Sequence, residues 1–169
     1  MGDIFRHSGI NIGGIDSVSW IFKEDIQGLT LSDTTLYCTV ILKTGKLWNS
    51  LYGSPETMLV ETEHQDTPSG MKYLYKLKVL VPKDRPQVEL ELFRMIGCHL
   101  MVKVTDKNGT IRILGTMECP MKMTVKLLKP SAIEAFNGYE LLFSGEFAKP
   151  APFIPSFGGG LPDDLMQNG

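Results

Sequence analysis

Three cysteines in 169 residues, Cys38, Cys98 and Cys119, are too far apart and odd in number for a disulfide framework or a CxxC metal knuckle. They are expected to be buried free thiols. No apolar run approaches the roughly 20 residues that a membrane-crossing helix needs, so no membrane span is expected. The opening Met1-Gly2-Asp3-Ile4-Phe5-Arg6-His7 carries early charges and no apolar h-region, and cytoplasmic synthesis is the expectation. Charge of one sign is lacking too. With 17 basic and 19 acidic residues the net is −2, which gives no overall drive toward nucleic acid or anionic lipid. A phosphate-binding glycine turn between strand and helix is also missing, since Gly158-Gly159-Gly160 has no helix ready behind it. No internal repeat of useful length replaces these features.

What the sequence does carry is alternation. Ile15, Val18, Trp20 and Phe22, closed by Lys23-Glu24-Asp25, suggest a first strand, and residues 36–43 a second. Two runs flank the turn formers Gln65-Asp66-Thr67-Pro68-Ser69-Gly70. The second run puts Met71, Tyr73, Tyr75, Leu77, Val79 and Val81 on one face, and Lys72, Lys76 and Lys78 on the other with Leu74 and Leu80. Pro86 in a first turn, Val88, Leu92, Met95 and Ile96 on one side and Gly97 as a stop predict a short helix over 85–96. Cys98, Leu100, Val102 and Val104 alternate up to Asp106-Lys107-Asn108-Gly109, and residues 110–114 return, which predicts a hairpin. The sequon Asn108-Gly109-Thr110 reads as that turn. Met121, Met123, Val125 and Leu127 give another strand, and Tyr139, Leu141, Phe143, Gly145 and Phe147 a last one. The expected architecture is mainly β: an antiparallel sandwich or barrel with one flanking helix. Residues 14–148 would form the single domain, 1–13 an N-terminal arm and 149–169 a Pro/Gly-rich C-terminal arm.

Catalytic constellations are hard to assemble from this pattern. Cys98 and His99 are neighbours that a strand sends to opposite faces, so they cannot share a proton. His64 is separated from Glu61 and Glu63 in the same way, and Glu89 and Glu91 diverge by about 200° on a helix. No cofactor, metal or catalytic residue is assigned, and an enzyme is not expected. The lysine face of the hairpin would need aromatics beside it to bind single-stranded nucleic acid. Alternation places them on the other side. A ligand-binding β-barrel or barrel enzyme is the alternative, with Trp20, Tyr73, Tyr75 and Phe143 lining a cavity instead of packing as core. Interface candidates are Trp48 and Tyr52, in a loop-like stretch where inward packing is the equal alternative, and Phe153, Ile154 and Phe157 in the C-terminal arm. Prolines and glycines keep that arm out of a sheet interior, while its apolar side chains call for a surface to lie on, on this domain or on a neighbouring subunit.

Gly13-Gly14-Ile15 leads straight into the strand ending Trp20-Ile21-Phe22. The hairpin of residues 102–109, Ile113-Leu114-Gly115-Thr116 and Pro120 follow in order. Asn137-Gly138-Tyr139-Glu140-Leu141-Leu142-Phe143-Ser144-Gly145-Glu146 and Pro150-Ala151-Pro152-Phe153 come last. Taken in this order, the motifs resemble the small virion structural proteins of phage and prophage tail and neck modules, of tail-tube or tail-completion type. The resemblance implies a sandwich or barrel with a flanking helix, assembled into rings through loops and arms. Its implied partners are further copies of itself and other virion proteins, with no specific nucleic acid and no small molecule; its implied location is the virion. Residues 44–67 have no counterpart in the pattern.

Overall fold

The computed structural model describes residues 12–155 apart from 33, 55, 69 and 132–134. Most of the N-terminal arm and the C-terminal arm beyond 155, including Phe157, lie outside the described residues. In chain order the strands are β1 (Ile15–Phe22), β2 (Ile26–Leu31), β3 (Cys38–Leu42), β4 (Asn49–Leu51), β5 (Leu59–Thr67) and β6 (Gly70–Pro82). After the helix α1 (Pro86–Met95) come β7 (Leu100–Asp106), β8 (Ile111–Leu114), β9 (Lys122–Leu128), β10 (Gly138–Phe147) and β11 (Phe153–Ile154).

Thirteen alternating residues make β6 the longest strand, and its buried positions Tyr75, Leu77, Val79 and Val81 are those the period of two predicts. It lies between β5 and β10 in an antiparallel sheet of order β5-β6-β10-β9. A second antiparallel sheet has the order β11-β8-β7-β1-β4, and β2 and β3 form a separate pair. None of these sheets closes on itself, so the sandwich expectation holds and the barrel form does not.

One core lies between the two large sheets. Val18, Trp20, Leu100, Val102 and Val104 meet Tyr75, Leu77, Val79, Leu141 and Phe143 there, and Leu92 and Met95 of α1 join them. Each such side chain contributes about 1.5–3 kcal/mol on full burial. A second core lies on the other face of the five-stranded sheet, where Ile21, Met101 and Ile113 pack against Ile26 and Cys38 of the β2–β3 pair. The middle sheet is therefore covered on both sides, and Leu100, Met101 and Val102 are buried in succession. Period-two reading assigned Met101 to an outer face; the β2–β3 layer is what buries it.

Local signals place the connections. Arg85 is extended, Pro86 opens the helix, and Gly97 at φ 78 lets the Cys98 amide return to the Met95 carbonyl at 3.1 Å. In the β7–β8 turn Asp106 Oδ1 accepts from the amides of Asn108 (2.9 Å) and Thr110 (2.8 Å). The Asn108 side chain is held by Ile12, accepting from its amide at 2.8 Å and donating to its carbonyl at 2.9 Å. Three expectations need correction. Cys98 and His99 precede β7 instead of starting it, with the Cys98 thiol directed to the Arg94 carbonyl at 3.2 Å. Of the three cysteines only Cys38 is buried, while Cys98 is half-buried and Cys119 exposed. Ile96 is exposed because the helix ends before its side chain reaches the core.

Candidate functional site

The segment after β10 does not leave the domain. Ala151 is buried and its amide donates to the Tyr75 hydroxyl at 2.9 Å. Pro152, which has no amide to offer, uses its carbonyl to accept from Ile113 at 3.0 Å, and Phe153 donates to the Leu36 carbonyl at 2.8 Å. Phe153 and Ile154 then add β11 to the edge of β8, opposite Arg112 and Ile111. The proline-rich arm thus becomes an edge strand, the one sheet position where missing donors are tolerated. The Phe153 ring carries the Arg112 guanidinium 4.0 Å from its centroid and meets Tyr37 edge-on at 6.4 Å. Residues 149–154 belong to the domain, contrary to the boundary at 148, and Phe153 and Ile154 find their surface on their own chain.

Trp48 and Ile154 both pack against the second core, so two of the five sequence candidates meet one cluster. Lys103 Nζ lies 5.2 Å from the Trp48 ring. Tyr52 is 68% exposed beyond β4, at the other edge of the sheet from β11. Between the β2–β3 pair, the β8–β9 connection and residues 147–152 runs an open cleft of about 580 Å³, with Leu29, Leu31, Leu36, Met117, Pro150 and Pro152 on its walls.

Sequence reasoning missed the outer stripe of α1. Leu90 and Phe93 on the helix and Ile96 at its C-cap are all exposed, Phe93 at 73%. Their i, i+3, i+6 spacing was readable, but the inward stripe was read as Val88, Leu92, Met95 and Ile96, and the structure leaves Ile96 exposed. The cavity-lining role weighed for Trp20, Tyr75 and Phe143 is not what the structure gives them, because all three are buried in the inter-sheet core, with half-buried Tyr73 packed against it.

Charged side chains sit on the surface, and none is buried among the described residues. The Asp84 carboxylate accepts a hydrogen bond from Tyr139 and pairs with Lys129, tying the β6–α1 connection to the end of β9. Hydrogen bonding from Lys129 and then Tyr139 holds its carboxyl below the usual range. The same bond, with burial, pushes Tyr139 up to about 12. On the outer face of the four-stranded sheet, Lys78 pairs with Glu140 at 2.6 Å and Lys72 with Glu146 at 3.4 Å. His64 stands on the opposite face from Glu61 and Glu63, its ring 4.8 Å from that of Tyr73. No group of three or more His, Cys, Asp or Glu converges as metal ligands among the described residues. No described helix is long and apolar enough to cross a membrane. No family model, curated protein or solved structure matches the chain.

Proposed function

We propose that the protein is a non-enzymatic structural subunit of a phage or prophage virion, tail-associated, acting by self-assembly and by docking to neighbouring virion proteins. The observation that carries the assembly part is the exposure of three large apolar side chains, Leu90, Phe93 and Ile96, on and just after a helix whose Leu92 and Met95 are already buried. Large apolar side chains grouped on a folded surface mark contact with another protein. The virion assignment rests on the ordered sequence motifs alone. Light scattering across a concentration series, with imaging of concentrated samples, tests the assembly reading. Oligomers that dissociate on Phe93→Glu while the β-rich circular dichroism persists would support it. A chain that stays monomeric at every concentration would overturn it.

A ligand-binding reading keeps one specific observation in its favour, the apolar cleft beside Pro150 and Pro152. Its open shape suits a flat or extended apolar molecule better than an enclosed one. Saturable binding of an environment-sensitive apolar dye, abolished by Leu36→Asp with the fold retained, is the result this second reading requires.

A further inference from the structure

The two large sheets treat their edges differently. The five-stranded sheet ends in β11 and β4, strands of two and three residues. The four-stranded sheet ends in β5, with nine residues, and β9, with seven. Short edges resist the addition of another strand, whereas long ones invite it. Charge separates these two long edges further. On the outer face β5 carries Glu61 and Glu63, and β9 carries Lys122 and Lys126. Within the sheet, Lys78–Glu140 and Lys72–Glu146 pair across the strands. The four edge charges form no ion pair with any described residue, although Glu61 stands opposite Lys76 and Lys126 opposite Glu140 in the strand registers.

We infer that β5 of one copy pairs with β9 of the next, continuing the four-stranded sheet from subunit to subunit. This rests on the self-assembly reading and adds a second contact to it, apart from the exposed side chains at α1. Neighbours in the order β5-β6-β10-β9 are all antiparallel, so β5 and β9 run in opposite directions. A second copy in the same orientation therefore presents β9 antiparallel to β5, with outer face against outer face. In the register that sets Glu61 opposite Lys126, Leu59 meets Leu128 and Val60 meets Leu127. Leu59 and Leu127 are 50% and 44% exposed in the single chain, and this pairing covers both. The charges also select against wrong partners, since β5 on β5 sets acid against acid and β9 on β9 base against base. Because the two surfaces differ, the contact is heterologous, and its product is a closed ring or an open filament.

The test uses the full chain and sedimentation over a concentration series. Glu61→Lys and Lys126→Glu should each raise the concentration for half-assembly at least tenfold, and the two together in one chain should restore it. In a second measurement, a chain with Glu61→Cys and Lys126→Cys on a Cys119→Ser background should oxidise to a ladder beyond dimer, and either cysteine alone should not. If the unaltered chain assembles but the reversals leave the midpoint unchanged and no ladder forms, the edge pairing is overturned and self-assembly stands. A monomer at every concentration overturns both.

Discussion

Ending the chain at residue 149 instead of 155 removes Pro150 to Pro155 and isolates what the returning segment contributes. Besides the β11–β8 ladder, three hydrogen bonds go with it, from Ala151 to Tyr75, from Ile113 to Pro152 and from Phe153 to Leu36. At a net of about 1 kcal/mol each they contribute about 3 kcal/mol. Phe153 and Ile154 are half-buried, and half of the transfer value for each adds about 2 kcal/mol together. The Arg112 contact over the ring adds about 0.5–1 kcal/mol. Ordering six residues opposes this by about 1 kcal/mol each, less at the three prolines, whose φ is already fixed. The net is a loss of about 2 kcal/mol, or a midpoint about 4–8 °C lower for a domain of this size. Urea titrations of the two chains, followed by tryptophan fluorescence, measure the difference directly. Phe153→Ala in the longer chain should account for most of it, about 1.5 kcal/mol. A difference under about 0.5 kcal/mol would refute the reasoning and return residues 150–155 to the status of a loosely attached arm.

Gly138→Ala should destabilise the fold by about 3 kcal/mol or more, because a Cβ there would lie 2.2 Å from the Val81 carbonyl oxygen on a backbone at φ 154; a denaturation midpoint like that of the unaltered protein would contradict the packing at the start of β10. Asp84 and Glu140, both held low chiefly by hydrogen bonds from Lys129 and Lys78, contribute stability that is complete above the ordinary carboxylate range and lost as pH falls through their depressed values, below about pH 4. Tyr139 has the opposite sign: its stabilisation is complete below about pH 10 and lost as pH rises toward about 12. Thermal melts across pH, repeated with Asp84→Asn, should show both limbs weakened in the variant, and identical profiles would remove the Asp84 contacts from the account. Cys119 should react at once with a thiol reagent in the native protein, whereas Cys38, 2% exposed and pushed up to about 11 by burial, should react only on unfolding; equal rates for the two would show that the β2–β3 layer opens freely.

Legibility in the sequence followed the number of buried faces. β6 and β10 each bury one face and show the other to solvent, so period two was plain from Tyr73 to Val81 and from Tyr139 to Phe147. The turn at Asp106-Lys107-Asn108-Gly109 and the helix opened by Pro86 rested on local backbone chemistry, which a sequence states directly. β2 went unseen because Gln27, Gly28 and Thr30 break its alternation, and its partner β3 is recognised only as an apolar run. β4, three residues long, is too short for any period. The second core followed from neither, since Ile21, Met101 and Ile113 declare themselves only once a third layer is known to cover them. Of the candidate site, the apolar demand of Phe153 and Ile154 was readable. That the demand is met by β8 of the same chain was not, because pairing of Phe153 with Arg112 and Ile154 with Ile111, 41 and 43 positions apart, leaves no local trace.

The same physics that made the outer sheet legible leaves it accessible. A middle strand buried on both faces has no surface left to offer, and the two short edges of its sheet give an incoming strand little to pair with. The outer sheet keeps a solvated face, which must carry charge, and between its two central strands that charge pairs as Lys78–Glu140 and Lys72–Glu146. At β5 and β9 no further strand follows among the described residues, so the alternation of acid and base stops with Glu61 and Glu63 at one end and Lys122 and Lys126 at the other. Inside the sheet the sorting already serves the strand pairs, Glu61 standing opposite Lys76 and Lys126 opposite Glu140. Sorted charges at opposite ends of one sheet are what a repeating contact between copies requires, and their exchange between the two edges is the perturbation to which that contact must respond.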